Sequence, residues 1–282
     1  MYADLHMHTN YSDGVFEIDE VIKKAKYAGL KCIAITDHDT FSHYSKVKDL
    51  GEKYDVLTIP GVEISCYNYR MFKKVHIVGL FLNETAPHVE ALCNKILKKR
   101  DAYHKQLIKQ FCDMGYEITY DECKAFSPYS IVFKMNIFQA IKQKYPDVDD
   151  LFYKKYFQGK VERNVELNMG YATVEEGIKA ILKDGGIPIL AHPNFYDSFS
   201  EIDEYVSYGL EGIEVDHHSM NDKDRFYAKK LAKKYHLYQS GGSDFHKDRY
   251  TDDGKEHLGT FGLSEEEFTA FMYEVRKIRH YE

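Results

Sequence analysis

The sequence predicts an α/β protein with a largely parallel sheet and a helical insertion, on three observations. Short apolar runs alternate with helical patterns in two separate blocks, the arrangement of β-α units. The runs are apolar enough to be buried on both faces, as parallel strands are. Between the blocks, from about Asn83 to Tyr171, the pattern turns charged, aromatic and helical, without clear strands. A chain of 282 residues has room for one barrel of roughly 250 residues or for two smaller domains. With no repeat and no low-complexity linker, the middle stretch reads as an insertion packed on the main domain, the alternative being an independent helical domain. The expected boundaries are 1–82 and 172–282 for the main domain and 83–171 for the insertion.

The first block supplies four strands, Tyr2 to His8, Lys31 to Thr36, Val56 to Ile64 and Lys74 to Phe81. Between the first two, Phe16, Val21, Ile22, Ala25 and Ala28 recur near helical spacing, and Gly29 is placed to stop that helix. In the insertion, Val89, Leu92, Ile96 and Leu97 mark a helix face that Leu107, Ile108, Phe111 and Met114 continue to a stop at Gly115. Further helices fall around Met135 to Lys144 and Asp149 to Tyr156. The second block opens with Thr173-Val-Glu-Glu, in which Thr173 caps a helix and Glu176 reaches back. Three more strands follow, Ile187 to Ala191, Gly212 to Val215 and Leu237 to Gly241, before a closing helix at Glu265 to Arg279.

With 44% hydrophobic and 29% charged residues the balance is that of a soluble globular protein. No stretch approaches the ~20 consecutive apolar residues of a membrane span, and the first strand begins without a basic region and apolar signal core, so a cytoplasmic location and no membrane partner are expected. Five cysteines, an odd number without a Cys-x-x-Cys pair, read as reduced thiols. Cys32 reads as core filler, and Cys66, three residues after Glu63, as a neighbour of the site. A net charge of −7 argues against broad attraction to a DNA duplex. Small or short anions stay open, because bound metal ions reverse the local field.

Side chains with ligand chemistry collect at the carboxyl ends of the predicted strands, where α/β folds build their sites. His6 and His8 share one face of the first strand, since alternate residues project the same way; alone, such a pair is weak evidence and reads first as two solvated imidazoles on an edge strand. Asp13 follows, then His38 in Thr-Asp-His-Asp-Thr, Glu63 in Gly-Val-Glu-Ile-Ser and His76 in Val-His-Ile-Val-Gly. His192 ends the fifth strand in Leu-Ala-His-Pro-Asn, and Asp244 with His246 ends the seventh in Gly-Gly-Ser-Asp-Phe-His. Imidazole mixed with carboxylate suits zinc, manganese or iron, whereas an all-oxygen set suits magnesium and an all-thiolate set a structural zinc.

Through this ordered series the chain resembles the PHP (polymerase and histidinol phosphatase) family of metal-dependent phosphoesterases, across both blocks. The resemblance implies a distorted (β/α)7 barrel and two or three divalent ions, Mn, Fe or Zn. It implies His6, His8, Glu63 and Asp244 as ligands of a first ion, Asp13, His38 and His246 of a second, and His76 and His192 of a third, with Glu63 bridging. It further implies hydrolysis of a phosphomonoester, on a nucleotide or nucleoside bisphosphate, by a hydroxide formed at the metals. Phosphoryl transfer demands mainly positioning and electrostatics, so no protein nucleophile is required.

The insertion after His-Ile-Val-Gly-Leu is similar to that of a subgroup containing nucleoside 3',5'-bisphosphate phosphatases and a 5'-to-3' exoribonuclease, where it is expected to cover the barrel mouth. That subgroup's Arg-Pro-His is Ser127-Pro128-Tyr129 here, so a cation is missing. Gly159-Lys160 does match its Gly-Lys, and Lys160 and nearby Arg163 are the expected phosphate contacts. The usual glycine after the last Asp-Phe-His is Lys247.

Asp13 and His217 are the residues expected to serve catalysis. His217 and His218 follow the sixth strand in Val-Asp-His-His-Ser; a protonated His217 can donate to the leaving oxygen or hold a phosphate, and the alternative is a plain loop histidine. Asp37 and Asp39 either orient imidazoles or, for Asp39, cap the next helix. His43, His88, His104, His236 and His280 read as structural or surface residues. Tyr67, Tyr69, Tyr129 and Tyr171 either stack on a base or sugar or simply pack. Histidinol phosphatase and short-RNA exonuclease are the alternatives within the enzyme class. A non-catalytic PHP scaffold is the alternative outside it, and the complete ligand series argues against that. The oligomeric state is open.

Overall fold

The computed structural model describes residues 1–157, 170–250, 254 and 257–279. Lys160, Arg163 and His280 lie outside the described residues. Strands β1 (Ala3–Met7), β2 (Cys32–Ile35) and β3 (Leu57–Thr58) form a parallel sheet in that order, joined by helices α1 (Ile18–Tyr27) and α2 (Tyr44–Tyr54). A second sheet has the order β6-β4-β5-β7-β8-β9, built from β4 (Gly61–Asn68), β5 (Lys73–Leu80), β6 (Ala172–Thr173), β7 (Ile187–Leu190), β8 (Gly212–Asp216) and β9 (Tyr238–Gly241).

Two expectations need correction. The pairing is largely parallel, as expected, but not every apolar run is a parallel strand: β5 runs antiparallel to both β4 and β7. Only residues 69–72 separate β4 from β5, and Asn68 Oδ1 turns the chain by accepting from the backbone N–H groups of Arg70 (3.1 Å) and Met71 (3.0 Å). So short a link joins only antiparallel strands, since a parallel crossover needs a dozen residues or more. The expected strand from Val56 to Ile64 is also two strands. Ile59 still donates to Ile33 O at 2.9 Å in the first sheet, Pro60 has no N–H to give, and from Gly61 the chain pairs in the second sheet.

The two sheets meet where the polar residues collect. Met7 bridges to Phe245 and His38 to Glu63, both in parallel sense, while His8 N donates to Phe245 O (2.8 Å) and Asp244 N to His6 O (2.9 Å). Gly242 makes this approach possible: a Cβ there would stand 2.4 Å from His6 Cβ and 2.6 Å from His6 N.

Helix α3 (Pro87–Asp113) runs unbroken through both helical patterns foreseen in the insertion. Its first half puts Val89, Cys93 and Ile96 into the core shared with Val62, Ile64, Ile77, Ile178 and Ile181. Its second half packs Leu107, Ile108 and Phe111 against Val132, Ile137, Phe138, Ile141 and Phe157 in a separate core. Full burial of each such side chain is worth about 1.5–3 kcal/mol, so α3 is anchored at both ends. After α3 come α4 (Tyr120–Lys124), not foreseen but opened by a Thr119–Glu122 capping box, α5 (Lys134–Lys144) and α6 (Asp150–Tyr156). The expected Thr173–Glu176 box opens α7 (Val174–Lys183); α8 (Ile202–Tyr208), α9 (Asp222–Tyr235) and α10 (Glu265–Arg279) complete the chain. No described helix is long and apolar enough to cross a membrane.

Candidate metal centre

Glu63, at the start of β4, is met by five imidazoles. Its Oε2 lies 3.2 Å from His6 Nε2, 3.2 Å from His8 Nε2 and 3.0 Å from His38 Nδ1; its Oε1 lies 2.8 Å from His76 Nδ1 and 3.0 Å from His192 Nε2. Asp244 Oδ1 approaches His8 Nε2 at 3.1 Å and His6 Nε2 at 3.5 Å. Asp13 reaches His246 Nε2 at 3.1 Å and His38 Nε2 at 4.0 Å.

Three groups thus bring potential ligand atoms within 4.8 Å of one another: His6, His8, Glu63 and Asp244; His8, Asp13, His38 and His246; and His38, Glu63 and His76. His192 joins through Glu63 but is not in the third group, where His38 stands. A fourth group, His217, His218 and Asp244, adjoins them.

Burial penalises charge throughout, yet the imidazoles hold the Glu63 and Asp244 carboxyls well below their usual range. Burial alone would depress His8, but the Asp244 and Glu63 carboxylates facing it lift it to about 10. For His38 burial wins over Glu63 and Asp13, and its value falls to about 3.

The residues fit a metal. His6 Nε2, His8 Nε2, His38 Nδ1, Glu63 Oε2, Asp13 Oδ1 and Asp244 Oδ1 are all buried and none has a hydrogen-bonding partner among the described residues. Buried polar atoms are nearly always satisfied, so converging lone pairs that face one another without hydrogen-bond geometry call for a cation. Nitrogen and carboxylate oxygen in this mixture are borderline ligands for divalent ions.

Glu214, in the middle of β8, went unnoticed in the sequence. Its Oε1 lies 2.7 Å from His6 Nδ1 and its Oε2 accepts the His192 N–H at 2.5 Å, fully inside the protein. Donation from Nδ1 to this carboxylate leaves His6 Nε2 with its lone pair facing Glu63 and Asp244. The one available signal was a lone acid inside the apolar run Gly-Ile-Glu-Val. Glu214→Gln is expected to weaken divalent-metal binding by about 10–100-fold, as read by calorimetric titration of the metal-free protein.

Asp37 braces a loop instead of an imidazole of the centre. It accepts from Thr9 N (2.8 Å), Thr9 Oγ1 (2.6 Å) and Ser12 Oγ (2.5 Å) and pairs with buried His43 (2.9 Å), fixing the segment that carries Asp13. Asp39 does not cap α2, whose cap position is His43. Its Oδ1 accepts from Ser65 N (2.8 Å) and its Oδ2 lies 3.1 Å from Arg100 Nη1, a cation from α3 that the sequence did not reveal as a site neighbour. Asp39, His192 and Asp244 hold φ at 53°, 25° and 52°. Left-handed backbone at three non-glycine residues of one site is strain concentrated where side chains must be aimed.

His217 is buried, with Nε2 3.5 Å from Asp244 Oδ2. Burial lowers His218 to about 3, and its ring lies tilted beside that of His257, centroids 5.2 Å apart. Among the tyrosines, Tyr67 packs on Tyr171 inside the protein and Tyr69 Oη donates to Tyr171 O at 2.8 Å, whereas half-exposed Tyr129 lies flat on Tyr11 at 4.4 Å. Cys66 is buried beside the site, its thiol pushed up by burial, and all five cysteines are free.

A mixed α/β fold that gathers imidazoles and carboxylates around a buried glutamate has the donor set of an enzyme that uses divalent metal ions. The chain belongs to the PHP family: the PHP domain model matches residues 4–172. It is 31% identical over 251 residues to a phosphoribosyl 1,2-cyclic phosphate 1,2-diphosphodiesterase of Eggerthella lenta, covering 87% of this chain and 94% of the relative. A 3',5'-nucleoside bisphosphate phosphatase of Chromobacterium violaceum is 28% identical, covering 86% of each chain. In fold, the chain superposes with a TM-score of 0.80 and 20% identity on a crystal structure of a Bifidobacterium adolescentis protein, covering 96% of this chain and 95% of the other. The protein is a hydrolase of phosphoesters.

Proposed function

We propose that the protein hydrolyses a phosphomonoester of a nucleotide or nucleoside bisphosphate at a centre of two or three divalent ions, Mn, Fe or Zn. The observation that carries this reading is the set of five imidazoles on Glu63. His6, His8, Glu63 and Asp244 would hold one ion, Asp13, His38 and His246 a second, and His76 and His192, with Glu63 bridging, a third. Bound there, divalent ions acidify a water and offset charge on the phosphoryl oxygens.

The rest falls to the chain. Glu63 aligns the imidazoles, Asp13 keeps His246 and His38 turned inward, and His217 donates a hydrogen bond to the leaving oxygen or to a phosphate. Lys160 and Arg163 are our candidates for phosphate contacts. The bridges from Met7 to Phe245 and from His38 to Glu63 support a reading of the two sheets as one distorted (β/α)7 barrel, residues 1–82 and 172–282. Residues 83–171 are then an insertion over its mouth.

A second reading is favoured by the 31% relative: a cyclic phosphodiester on ribose as the bond that is cleaved. The names of both relatives share a phosphate ester on a ribose or nucleoside. Chromatographic identification of the products, beside an assay for inorganic phosphate, on a panel of nucleotides, nucleoside 3',5'-bisphosphates, cyclic ribose phosphates, histidinol phosphate and short RNA with Mn²⁺ supplied separates the readings: a phosphomonoesterase releases inorganic phosphate, a cyclic phosphodiesterase a ribose phosphomonoester and an exonuclease nucleoside monophosphates. Metal-loaded protein inactive on all of them would leave only the scaffold. Asp13→Ala and His192→Ala are each expected to abolish turnover while the circular dichroism spectrum stays that of the parent; turnover near the parent's in either refutes the metal assignment.

A further inference from the structure

We propose that Ser219 and Asn194 are positioning residues that hold His217 as a neutral imidazole with its proton on Nε2, aimed at the oxygen that leaves phosphorus. This rests on the reading of His217 given above, and it replaces a protonated ring with a neutral one. His217 sits on the turn after β8 with its ring buried. Its Nδ1 accepts the backbone N–H of Ser219 at 3.1 Å and lies 2.7 Å from Ser219 Oγ. A backbone N–H donates and never accepts, so Nδ1 is the unprotonated nitrogen and the hydroxyl donates to it too, sharing its proton with Asn194 Oδ1 at 3.0 Å.

Asn194 is itself fixed, since its Nδ2 donates to Ser219 O at 2.8 Å. This ties the loop two residues past His192 to the turn that carries His217. The turn's backbone is pinned from the other side. His217 O accepts from Met220 N (3.0 Å) and Arg225 Nη2 (3.3 Å), and Arg225 Nε donates to Asp216 Oδ1 at 2.7 Å. That leaves Nε2 as the ring nitrogen free to act, buried and without a hydrogen-bonding partner among the described residues, 3.5 Å from Asp244 Oδ2.

Two consequences follow from the tautomer. A nitrogen that carries a proton is not a metal ligand, so His217, His218 and Asp244 are not a further ion site despite their proximity. An oriented N–H donor is worth most where negative charge develops as the P–O bond to the leaving group breaks. Its contribution therefore grows as the leaving group becomes poorer.

The test uses the zinc-loaded protein, which is diamagnetic. Spectra of ¹⁵N-histidine-labelled protein, with the His217 signals identified by their loss in His217→Ala, are expected to show the proton on Nε2; this does not depend on which substrate is accepted. His217→Ala is expected to lower kcat about 100-fold on a nucleoside 3',5'-bisphosphate, whose leaving group is a sugar alkoxide, and less than about tenfold on p-nitrophenyl phosphate. Ser219→Ala should lose about fivefold to tenfold on the bisphosphate with KM unchanged, and stay within about twofold on p-nitrophenyl phosphate. Ser219→Thr, which keeps the hydroxyl, should restore the parent values. A proton on Nδ1, or an equal loss on both substrates in Ser219→Ala, overturns the proposal. A silent Ser219→Ala beside a leaving-group-dependent His217→Ala overturns the positioning alone, whereas a His217→Ala without leaving-group dependence removes the role of His217 itself and the proposal with it.

Discussion

Glu63→Gln is expected to lower kcat/KM by at least about 10³-fold and to strip most of the bound divalent metal while the chain still folds. The change keeps the shape of the side chain and deletes one negative charge, and that charge is what five imidazoles converge on. With a neutral amide, the Oε2 position offers either a weak acceptor to His6, His8 and His38 or an N–H that repels a cation. His76 and His192 lose the partner that aligns them from the other oxygen. Elemental analysis after refolding with Mn²⁺ or Zn²⁺, beside phosphate release on the best substrate of the panel, reads both effects. Retention of stoichiometric metal with near-normal turnover would remove Glu63 from the centre. Collapse of the metal-free form, read by urea unfolding, would recast it as a folding residue.

The residues that gather at this centre were legible because imidazoles and carboxylates inside or just after apolar runs have no packing reason to be there, although Glu63 stands at the start of β4 and His76 inside β5, not at the carboxyl ends expected of them. His6, His8, Asp13, His38, Glu63, His76, His192, Asp244 and His246 all reach one cluster or its edge. The residues around them left weaker signals. Glu214 is one acid in a short strand, indistinguishable in pattern from a residue facing solvent. Arg100 lies in Lys-Lys-Arg-Asp on a helix, where a charge run reads as a wet face, and only tertiary packing turns one of those charges inward. The alternation of strands and helices gave the α/β class, but direction is a property of connections. The four residues between β4 and β5 were in view, and their shortness, not the apolar runs, determined that β5 is antiparallel. The break at Pro60 was hidden for a related reason: a continuous apolar stretch looks like one strand even when it serves two sheets.

Arg100→Met is expected to destabilise the protein by about 3–5 kcal/mol, a large share of the stability of any single domain. Arg100 is 6% exposed and its guanidinium holds Asp39 Oδ2 at 3.1 Å and Ser65 Oγ at 2.9 Å, beneath the rings of Phe133 and Tyr171 at 5.3 and 5.6 Å. Burial drives the Asp39 carboxyl upward and Arg100 pulls it back only in part, while Asp39 in turn raises Arg100; the desolvation of two buried charges offsets much of their attraction. Removing one partner is a different matter, because it strands a charge with no exposure at all. If that is the dominant cost, Asp39→Asn in the Arg100→Met background should recover at least about half of the loss, and the two changes should be strongly non-additive in a double-mutant cycle read by urea unfolding. A single-variant cost under about 1 kcal/mol, or additive effects, would mean that water reaches Asp39 and the pair is only a surface contact. The position of this pair gives it consequence beyond stability. Arg100 lies on α3 between the core of the main sheet and the core of the insertion, and Asp39 follows His38 directly, so the same ion pair that fixes the helix also fixes the backbone that aims an imidazole at Glu63.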